Sequence, residues 1–339
     1  MPSPTPPSRP SPPAAADAAA EEHPAATVTV VLPTFRRPAG LARALRALAD
    51  QQDPGVPWDV LVVDNDSDDT ADVTAVFERC RPLLPVAASL VCEPGRGAAR
   101  ARNAGIQRAE GDIVAFLDDD VVPDRRWLAR LVAPVVAGTA DAAGGPVALD
   151  PAVSVPGWLG RDWLGYLSQY DRGTDERLLD GGDYVLTANA AFRTERLRAI
   201  HGFDEALGPR GGSPMVNDDL DLCRRWAAAG GRIAYVPGAV VVHDVPPARV
   251  TIQYVARRAY AQGRSDWLLD RRRNVRRPAG GAQGILVHLR RLLGDRVRDG
   301  LLRPDVAVGA SLAVAHAAGA LREAAAGKWQ ARGGRPIDP

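Results

Sequence analysis

Short apolar runs alternate with amphipathic segments along the first third of the chain. Thr27–Leu32 is a β-branched run that predicts a buried first strand, and Leu41, Leu45 and Leu48 recur at helical spacing behind it. The same pattern predicts strands at Val60–Val63, Val86–Val91 and Ile113–Leu117 and a helix at Ala98–Ala109. Strands that alternate with helices are typical of an α/β fold built on a mostly parallel, doubly wound sheet.

The pattern becomes more mixed in the second half of the chain. Strands are predicted at Ala143–Leu149, Tyr184–Thr187, Arg232–Val236 and Val240–Val242, and helices at Glu195–Ile200 and Leu220–Ala229. Beyond Val250 the sequence is helical and rich in arginine, with Gly/Pro breaks around 278–284. We therefore expect a mixed second half and a helical C-terminal region.

Composition limits the class of protein. Hydrophobic residues make up 46% of the 339 residues and the formal net charge is +1, so we expect a globular protein with no nucleic-acid partner. Residues 1–26 are rich in Pro and Ala and lack the apolar core of a signal peptide, which predicts a disordered tail. Cys80, Cys92 and Cys223 form no closely spaced pair, as expected for reduced thiols in a cytoplasmic protein.

Polar clusters follow three of the predicted strands, at the point where each strand ends. Pro33–Phe35 follows the first strand, Asp64–Asp66 the second and Asp118–Asp120 the fourth. In an open α/β sheet, ligands bind beyond the carboxyl ends of the strands. We therefore expect the three clusters to converge on one edge of the sheet.

The acidic triplet Asp118–Asp120 is a candidate metal site. Adjacent carboxylates repel one another, and a divalent cation would remove that penalty while keeping positions open for phosphate oxygens. Such a cation would neutralise charge on a departing phosphate group. The alternative is a solvated acidic loop or a helix cap, and the position directly after the buried run Ile113–Leu117 favours the cation.

Two further candidates lie in the second half of the chain. Asp218 and Asp219 precede an amphipathic helix, so they are either helix caps or a general base that takes a proton from a hydroxyl group. His243 ends an apolar run and is either a structural histidine or a metal ligand. The residue pattern alone leaves both pairs of alternatives open.

The segment Gly95–Gly105 joins a glycine-rich turn to a predicted helix. Backbone N–H groups at such a turn bind anions, and arginine side chains grip phosphate oxygens. The segment is not a dinucleotide-binding fingerprint, because Gly105 follows Gly97 too late and the turn does not follow the first strand.

Seven motifs follow one another from about Thr27 to about Arg264. They are VVLPTFRRP (Val30–Pro38), VVDNDSDDT (Val62–Thr70), GRGAARARNAGI (Gly95–Ile106), FLDDDVVP (Phe116–Pro123), NAAFRTE with GFDE (Asn189–Glu195, Gly202–Glu205), NDDLDLCRR (Asn217–Arg225) and VPGAVVVHD (Val236–Asp244). In this order they resemble the family 2 inverting glycosyltransferases of GT-A fold. The resemblance implies a Rossmann-like nucleotide-binding half over residues 27–123, fused to a mixed acceptor-binding half over 124–250, with a helical Arg-rich region over 251–339.

The resemblance also implies which residues hold a nucleotide-diphosphate sugar donor. The residues that would line its pocket are Pro33, Thr34 and Phe35 at the nucleotide, Asp64 and Asn65 at the base and ribose, Arg96 near the base or diphosphate, and Asp118 and Asp119 of the family's DxD motif.

A divalent cation, Mn²⁺ or Mg²⁺, is implied at the same edge of the sheet. Asp120 would be its direct ligand, with Asp118 beside it, and His243 matches a position that completes the metal site in related enzymes. Asp219 matches the family's catalytic base. The usual Glu before that base is Asp218 here, which leaves open which of the two aspartates is the base.

The reaction that the resemblance implies is transfer of one sugar, with inversion, to a hydroxyl acceptor on a glycan, a lipid or a small molecule. The Gln-x-x-Arg-Trp motif of processive synthases is absent, since no Trp follows Gln253 and Arg257. The alternatives are a nucleotidyltransferase, which would need a Gly-rich basic loop where Pro33–Arg37 stands, and a non-catalytic GT-A binding domain.

The C-terminal region carries arginines in pairs and triplets, such as Arg271–Arg273. A basic helical segment is attracted to an anionic membrane by about 1 kcal/mol per residue near the lipid. Such contact would place the protein peripherally on the inner face of the membrane. The alternative, which we favour, is a solvated arginine-rich surface.

Overall fold

The computed structural model describes residues 26–66, 70–180, 182–209, 215–272 and 304–331. Almost all of the predicted tail and the Gly/Pro breaks around 278–284 therefore lie outside the described residues. The strands are β1 (Val28–Thr34), β2 (Trp58–Asp64), β3 (Ala88–Cys92), β4 (Ile113–Leu117), β5 (Val121–Pro123), β6 (Ala142–Gly144), β7 (Val147–Leu149), β8 (Arg177–Leu178), β9 (Asn189–Arg193), β10 (Ile233–Tyr235) and β11 (Val241–His243).

The α-helices lie between and after these strands. They are α1 (Pro38–Ala49), α2 (Ala71–Cys80), α3 (Ala98–Arg108), α4 (Trp127–Val136), α5 (Thr194–Ala199), α6 (Asp218–Ala228), α7 (Ile252–Arg272) and α8 (Pro304–Ala331). Among the described helices, none is both long and apolar enough to cross a membrane.

Four parallel strands form the first half of an eight-stranded sheet. In that sheet β1 lies between β2 and β4, and β3 lies outside β2. Both faces of these strands are buried, because α1 and α2 pack on one face and α3 on the other. This arrangement confirms the predicted α/β fold with a mostly parallel first half.

The second half of the large sheet is mixed. β9 lies antiparallel between β4 and β6, and β10 joins β6 to the short edge strand β8. The single strand predicted at Ala143–Leu149 is wrong, because the chain breaks at Gly145 and Pro146 into two strands of different sheets. Pro146 has no N–H to donate to a ladder, and a Cβ at Gly145 would lie 2.0 Å from the carbonyl oxygen of Ala239.

The strand predicted at Tyr184–Thr187 is also wrong, since this segment forms no β-ladder. It is instead held against the sheet by Val185, which is fully buried. A Cβ at Gly144 would lie 2.4 Å from the Val185 side chain, so the segment passes directly over β6. Close packing on a sheet face gives the same apolar pattern as membership of the sheet.

A separate three-stranded sheet has the order β5-β11-β7. Its strand β5 directly follows the acidic triplet and pairs antiparallel with β11, so that Val121 lies opposite His243. The backbone N–H of Asp244 donates to the carbonyl oxygen of Asp120 over 2.9 Å. This small sheet is the reason that His243 lies beside Asp120.

The described C-terminal helices α7 and α8 pack against each other and against the segment around Trp163. Trp163, Leu167, Val255, Ala259 and Leu312 belong to one buried cluster that joins all three parts. The described part of the C-terminal region is therefore helical, as expected, and it packs on the second half of the chain.

Asn189 ties three parts of the second half together. Its buried Nδ2 donates to the carbonyl oxygens of Pro146 (2.9 Å) and Ala239 (2.7 Å), and its Oδ1 accepts from Trp127 Nε1 (2.8 Å). We expect Asn189→Ala to lower the free energy of unfolding by about 3 kcal/mol, because it leaves buried polar groups without partners. Urea titration followed by circular dichroism measures this loss.

Glu78→Ala, at an exposed position on α2, is the control and should change stability by less than about 0.5 kcal/mol. Equal urea midpoints for the Asn189 variant and the unaltered protein would contradict this account of Asn189.

Candidate active site

Two open clefts meet at the carboxyl edge of the parallel strands. The larger cleft, of about 670 Å³, lies over the ends of β1 and β4, and the smaller cleft, of about 380 Å³, lies beside the start of α6. The residues common to both are Arg102, Asp118, Ser168, Pro209, Val216 and Arg258. A reaction between two ligands, one in each cleft, would take place at this shared wall.

Most of the residues predicted to hold a nucleotide line the larger cleft: Pro33, Thr34, Phe35, Asn65, Arg96, Asp118, Asp119 and Asp120. Asp64 lies outside this lining, since it is buried at the end of β2. Asn65 shapes the turn that follows β3: its Nδ2 donates to Gly95 O (2.6 Å) and its Oδ1 accepts from Gly97 N–H (2.7 Å). The turn needs glycine at Gly97, where φ is +137°.

The acidic triplet is surrounded by arginine and histidine side chains. Asp119 accepts a hydrogen bond from Thr34 Oγ1 (2.7 Å) and pairs with Arg37 (3.2 Å), which also contacts Asp120. Burial raises the pKa of Asp119 to about 6, although Arg37 acts in the opposite direction. Arginine charge therefore relieves part of the repulsion among the three carboxylates, a repulsion that the sequence predicts a divalent cation would relieve.

His243 lies next to the last carboxylate of the triplet. Its Nε2 is 3.5 Å from Asp120 Oδ2, and its Nδ1 is 3.0 Å from the carbonyl oxygen of Leu167. A carbonyl only accepts, so Nδ1 carries a proton and donates. Nε2 has a free lone pair in the neutral ring and donates to Asp120 in the protonated ring. Burial alone would raise the pKa of Asp120, but His243 and Arg37 outweigh it and hold that pKa well below its usual range.

A metal ion at this position would need ligands from a substrate as well as from the protein. Among the described residues there is no group of three or more His, Cys, Asp or Glu side chains that could hold a metal ion. Asp118 faces Arg102 rather than His243, and Arg249 lies 3.6 Å from Asp120.

Arg102 on α3 joins the acidic triplet to α6. Its buried guanidinium donates from Nη2 to both oxygens of Asp118 (2.9 and 3.1 Å) and from Nη1 to Asp218 Oδ2 (3.0 Å). Arg102 is not among the site residues that the sequence predicts. Its burial could have been expected, because Arg102 shares a helical face with Ala99 and Ile106, and an apolar residue would be usual at that position.

The two aspartates at the start of α6 have different surroundings. Both line the smaller cleft, but Asp218 is engaged by Arg102, whereas Asp219 accepts a hydrogen bond from Thr187 Oγ1. Burial, together with the charge of Asp218, raises the pKa of Asp219 to about 7, and Arg102 offsets the shift only in part. Burial raises the pKa of Asp218 as well, against the charge of Arg102, but that carboxylate is held in an ion pair with Arg102. Asp219 lies outside this ion pair and is therefore the carboxylate of the two that is available to accept a proton.

Arg258 on α7 reaches the shared wall of the two clefts. Its buried Nη1 has no hydrogen-bond partner among the described residues, and burial lowers its pKa. The neighbouring Arg257 is exposed, and nothing in the sequence distinguishes the two arginines. The functional interest of Arg258 is therefore visible only in the structure.

Aromatic side chains line the smaller cleft opposite the aspartates. They are Trp163, Tyr166, Tyr170 and Tyr184, and the rings of Trp163 and Tyr166 stack with 5.7 Å between centroids.

The fold is that of GT-A glycosyltransferases. Mannosyltransferase PcManGT from Pyrobaculum calidifontis, solved in complex with GDP-Man and Mn²⁺, superimposes with a TM-score of 0.53. The similarity covers 90% of this chain and 79% of that chain, at 24% sequence identity.

The sequence is similar to glycosyltransferases from distant organisms. Succinoglycan biosynthesis protein ExoM of Rhizobium meliloti is 32% identical over 235 residues, which cover 68% of this chain and 71% of that protein. Glycosyltransferase AglE of Haloferax volcanii is 27% identical over 72% of this chain and 75% of that protein. Residues 29–199 match the family described as glycosyl transferase family 2, and the chain therefore belongs to that family.

The raised pKa of Asp219 makes a prediction about stability. The unfolded chain ionises at the usual value of 3.8 and the folded protein at about 7, so the folded state loses stability as the pH rises from about 4 to 7. Asp219→Asn removes that loss. Its melting temperature should exceed that of the unaltered protein by at least about 2 °C at pH 8, or roughly 1 kcal/mol.

Differential scanning fluorimetry at pH 4.5 and pH 8 tests this expectation. The increase in melting temperature of Asp219→Asn over the unaltered protein should shrink toward zero at pH 4.5, where Asp219 is mostly protonated in the folded state. A variant that is less stable than the unaltered protein at pH 8 would show that Asp219 is not destabilising when ionised.

Proposed function

We propose that the protein transfers a single sugar from a nucleotide-diphosphate sugar to a hydroxyl acceptor with inversion of configuration. The observation that carries this proposal is the junction of the two clefts. Asp219, with a pKa near neutrality, lines the smaller cleft, and the buried cation of Arg258 lies in the wall shared with the larger one. A base and a cation on opposite sides of a reacting carbon are what displacement of a phosphate leaving group requires.

The donor would occupy the larger cleft. Its nucleotide would lie against Thr34 and Phe35, where Phe35 is exposed and the guanidinium of Arg36 lies 5.2 Å from its ring centroid. Arg96 would meet the diphosphate at the glycine-rich turn, in keeping with anion binding by such turns. The GDP-Man bound to the mannosyltransferase of the same fold supports a nucleotide sugar as the donor class.

The acceptor would occupy the smaller cleft, with its hydroxyl group at Asp219. The carboxylate would take the hydroxyl proton while the oxygen attacks the anomeric carbon from the side opposite the diphosphate. Attack from that side inverts the configuration. The ion pair of Asp218 with Arg102 supports Asp219, rather than Asp218, as the base.

Asp120 and His243 are the residues that would hold a divalent cation, Mn²⁺ or Mg²⁺. The donor set fits, because Nδ1 of His243 is fixed by Leu167, so that the neutral ring would present the lone pair of Nε2 to a cation beside the Asp120 carboxylate. A bound cation would neutralise charge on the departing diphosphate. The Mn²⁺ in the mannosyltransferase complex supports this proposal, whereas the pairing of Asp118 with Arg102 makes Asp118 a weaker candidate ligand.

The aromatic wall of the smaller cleft favours a saccharide acceptor. Sugar rings present apolar C–H faces that pack on aromatic rings such as those of Tyr166 and Tyr184. The name of the Rhizobium relative places that protein in polysaccharide biosynthesis. We therefore propose a glycan or a lipid-linked saccharide as the acceptor, used in the cytoplasm, where the free thiols of Cys80, Cys92 and Cys223 would persist.

Release of nucleoside diphosphate from a panel of sugar nucleotides tests the function. UDP-glucose, UDP-galactose, GDP-mannose and dTDP-rhamnose are incubated with the protein and Mn²⁺, with EDTA in parallel. We expect one or more donors to be turned over, and Asp219→Asn to lower turnover by at least about 10²-fold while it leaves donor binding intact. Turnover should rise with pH up to about 7, as Asp219 loses its proton.

Donor binding by the Asp219 variant is checked by thermal shift with the same sugar nucleotides. The same assay is repeated with a cell extract added as a source of acceptors. If no donor is turned over with or without the extract, the protein is a binding domain and not a transferase. Full activity of the Asp219→Asn variant would remove Asp219 as the base.

Arg258 gives a second test, because its buried Nη1 has no hydrogen-bond partner in the described part of the chain. We expect Arg258→Ala to lower turnover by about 10²-fold, the usual effect of removing a group that stabilises charge in a transition state. Affinity for the nucleoside diphosphate product should fall as well. Arg257→Ala, next to it on α7 and exposed, is the matched control and should retain full turnover. Equal activity of the two variants would exclude Arg258 from the reaction.

A further inference from the structure

We propose that α7, backed by α8, positions the catalytic base by clamping the turn at Asn217. This inference rests on the proposed function, because it assigns the clamp to the base Asp219. The clamp consists of Gln262, Ser265 and Asp266 on α7 and His316 on α8. These residues are positioning residues, which act through the turn at Asn217.

The turn before the base has an unusual backbone. Asn217 has φ +79°, in the left-handed region, and the helix that carries Asp218 and Asp219 starts immediately after it. A residue other than glycine adopts this region at some cost, and it stays there only when its surroundings hold it. A change at Asn217 would re-aim the first turn of α6, and with it the carboxylate of Asp219.

Three side chains form a closed set of hydrogen bonds around Asn217. Its Nδ2 donates to Asp266 Oδ1 over 2.7 Å, and its Oδ1 accepts from Gln262 Nε2 over 2.8 Å. Gln262 Nε2 also lies 2.9 Å from Asp266 Oδ1, one helical turn away. Both polar atoms of the Asn217 amide are therefore engaged by the same face of α7.

The backbone before Asn217 is held as well. The N–H of Val216 donates to Ser265 Oγ over 2.9 Å, and the buried Ser265 hydroxyl donates to the carbonyl oxygen of Ala261 over 2.9 Å. Because Ser265 and Asp266 are adjacent, α7 holds the backbone of Val216 and the side chain of Asn217 together. The turn is thus fixed at two consecutive residues.

α8 supports the clamp from the far side of α7. His316 Nε2 lies 3.3 Å from Asp266 Oδ2, the carboxylate oxygen that does not bind Asn217. The helices approach closely, since a Cβ at Gly263 would lie 1.8 Å from the carbonyl oxygen of His316, and one at Gly319 would lie 2.0 Å from that of Tyr260. Close approach at both points keeps His316 against Asp266.

Asp266→Ala is the decisive variant, because it removes both hydrogen bonds to Asp266 Oδ1 and the contact with His316. Using the panel donor with the fastest release of nucleoside diphosphate, we expect kcat to fall by about 10²-fold, as for a small misplacement of a reacting group. The donor KM should stay within about 3-fold, because Gln262, Ser265, Asp266 and His316 do not line the larger cleft and of its lining they hold only Val216, through Ser265, which this variant keeps. Asp266→Asn keeps an acceptor oxygen at Oδ1 and should retain most of kcat.

Glu323→Gln is the matched control. Glu323 pairs with Arg264 over 2.6 Å, so its loss weakens the same contact between α7 and α8 without touching the turn at Asn217. Its kcat should stay within about 3-fold of the unaltered protein. Hydrogen–deuterium exchange over residues 216–222 should increase in Asp266→Ala and stay unchanged in Glu323→Gln.

Asn217→Gly keeps the test decisive if Asp266→Ala fails to fold. Glycine adopts the left-handed turn without strain but lacks the amide that α7 holds, so the fold should persist while kcat falls with donor KM unchanged. If Asp266→Ala or Asn217→Gly folds and its kcat stays within about 3-fold of the unaltered protein, the clamp is overturned. If Asp219→Asn still abolishes turnover in that case, the clamp fails while the proposed function stands.

Discussion

The buried guanidinium of Arg102 is the interaction on which the rest of the site depends. It joins Asp118, at the end of the central strand β4, to Asp218, at the start of α6. Removing one partner of a buried ion pair leaves an uncompensated charge and typically costs about 3–5 kcal/mol. The two halves of the fold, and the two clefts between them, are therefore held in register by electrostatics as well as by the continuous sheet.

Arg102 also divides the roles of the neighbouring aspartates. Both of its terminal nitrogens are used by Asp118 and Asp218, so its charge reaches Asp219 only in part. Asp219 is left with burial and a like-charged neighbour, which together raise its pKa. The proton affinity of Asp219 thus follows from its burial and from the charge of Asp218, which Arg102 offsets only in part.

The sequence predicts the first half of the fold well, because parallel strands buried on both faces, such as Ile113–Leu117, are continuous apolar runs. It predicts the second half less well. The strand β9 contains small residues, so it lacks the usual apolar run of a buried strand. The apolar segment around Val185 has the pattern of a strand but packs on a face of the sheet. Asp120 and His243 could be singled out by their motifs and are adjacent in the structure. Arg102 could be singled out only by its place on the buried face of α3, and Arg258 could not be, because its surroundings depend on distant segments.

The shared wall between the clefts has a consequence for how this enzyme family can diversify. Arg102, Asp118 and Arg258 border both clefts, so a substitution there alters the surroundings of both ligands at once. The aromatic side of the smaller cleft, formed by Trp163, Tyr166 and Tyr184, borders only that cleft. In the proposed arrangement, changes on the aromatic side would therefore alter acceptor preference and leave the donor cleft unchanged. Acceptor preference would then vary independently of the residues in the shared wall.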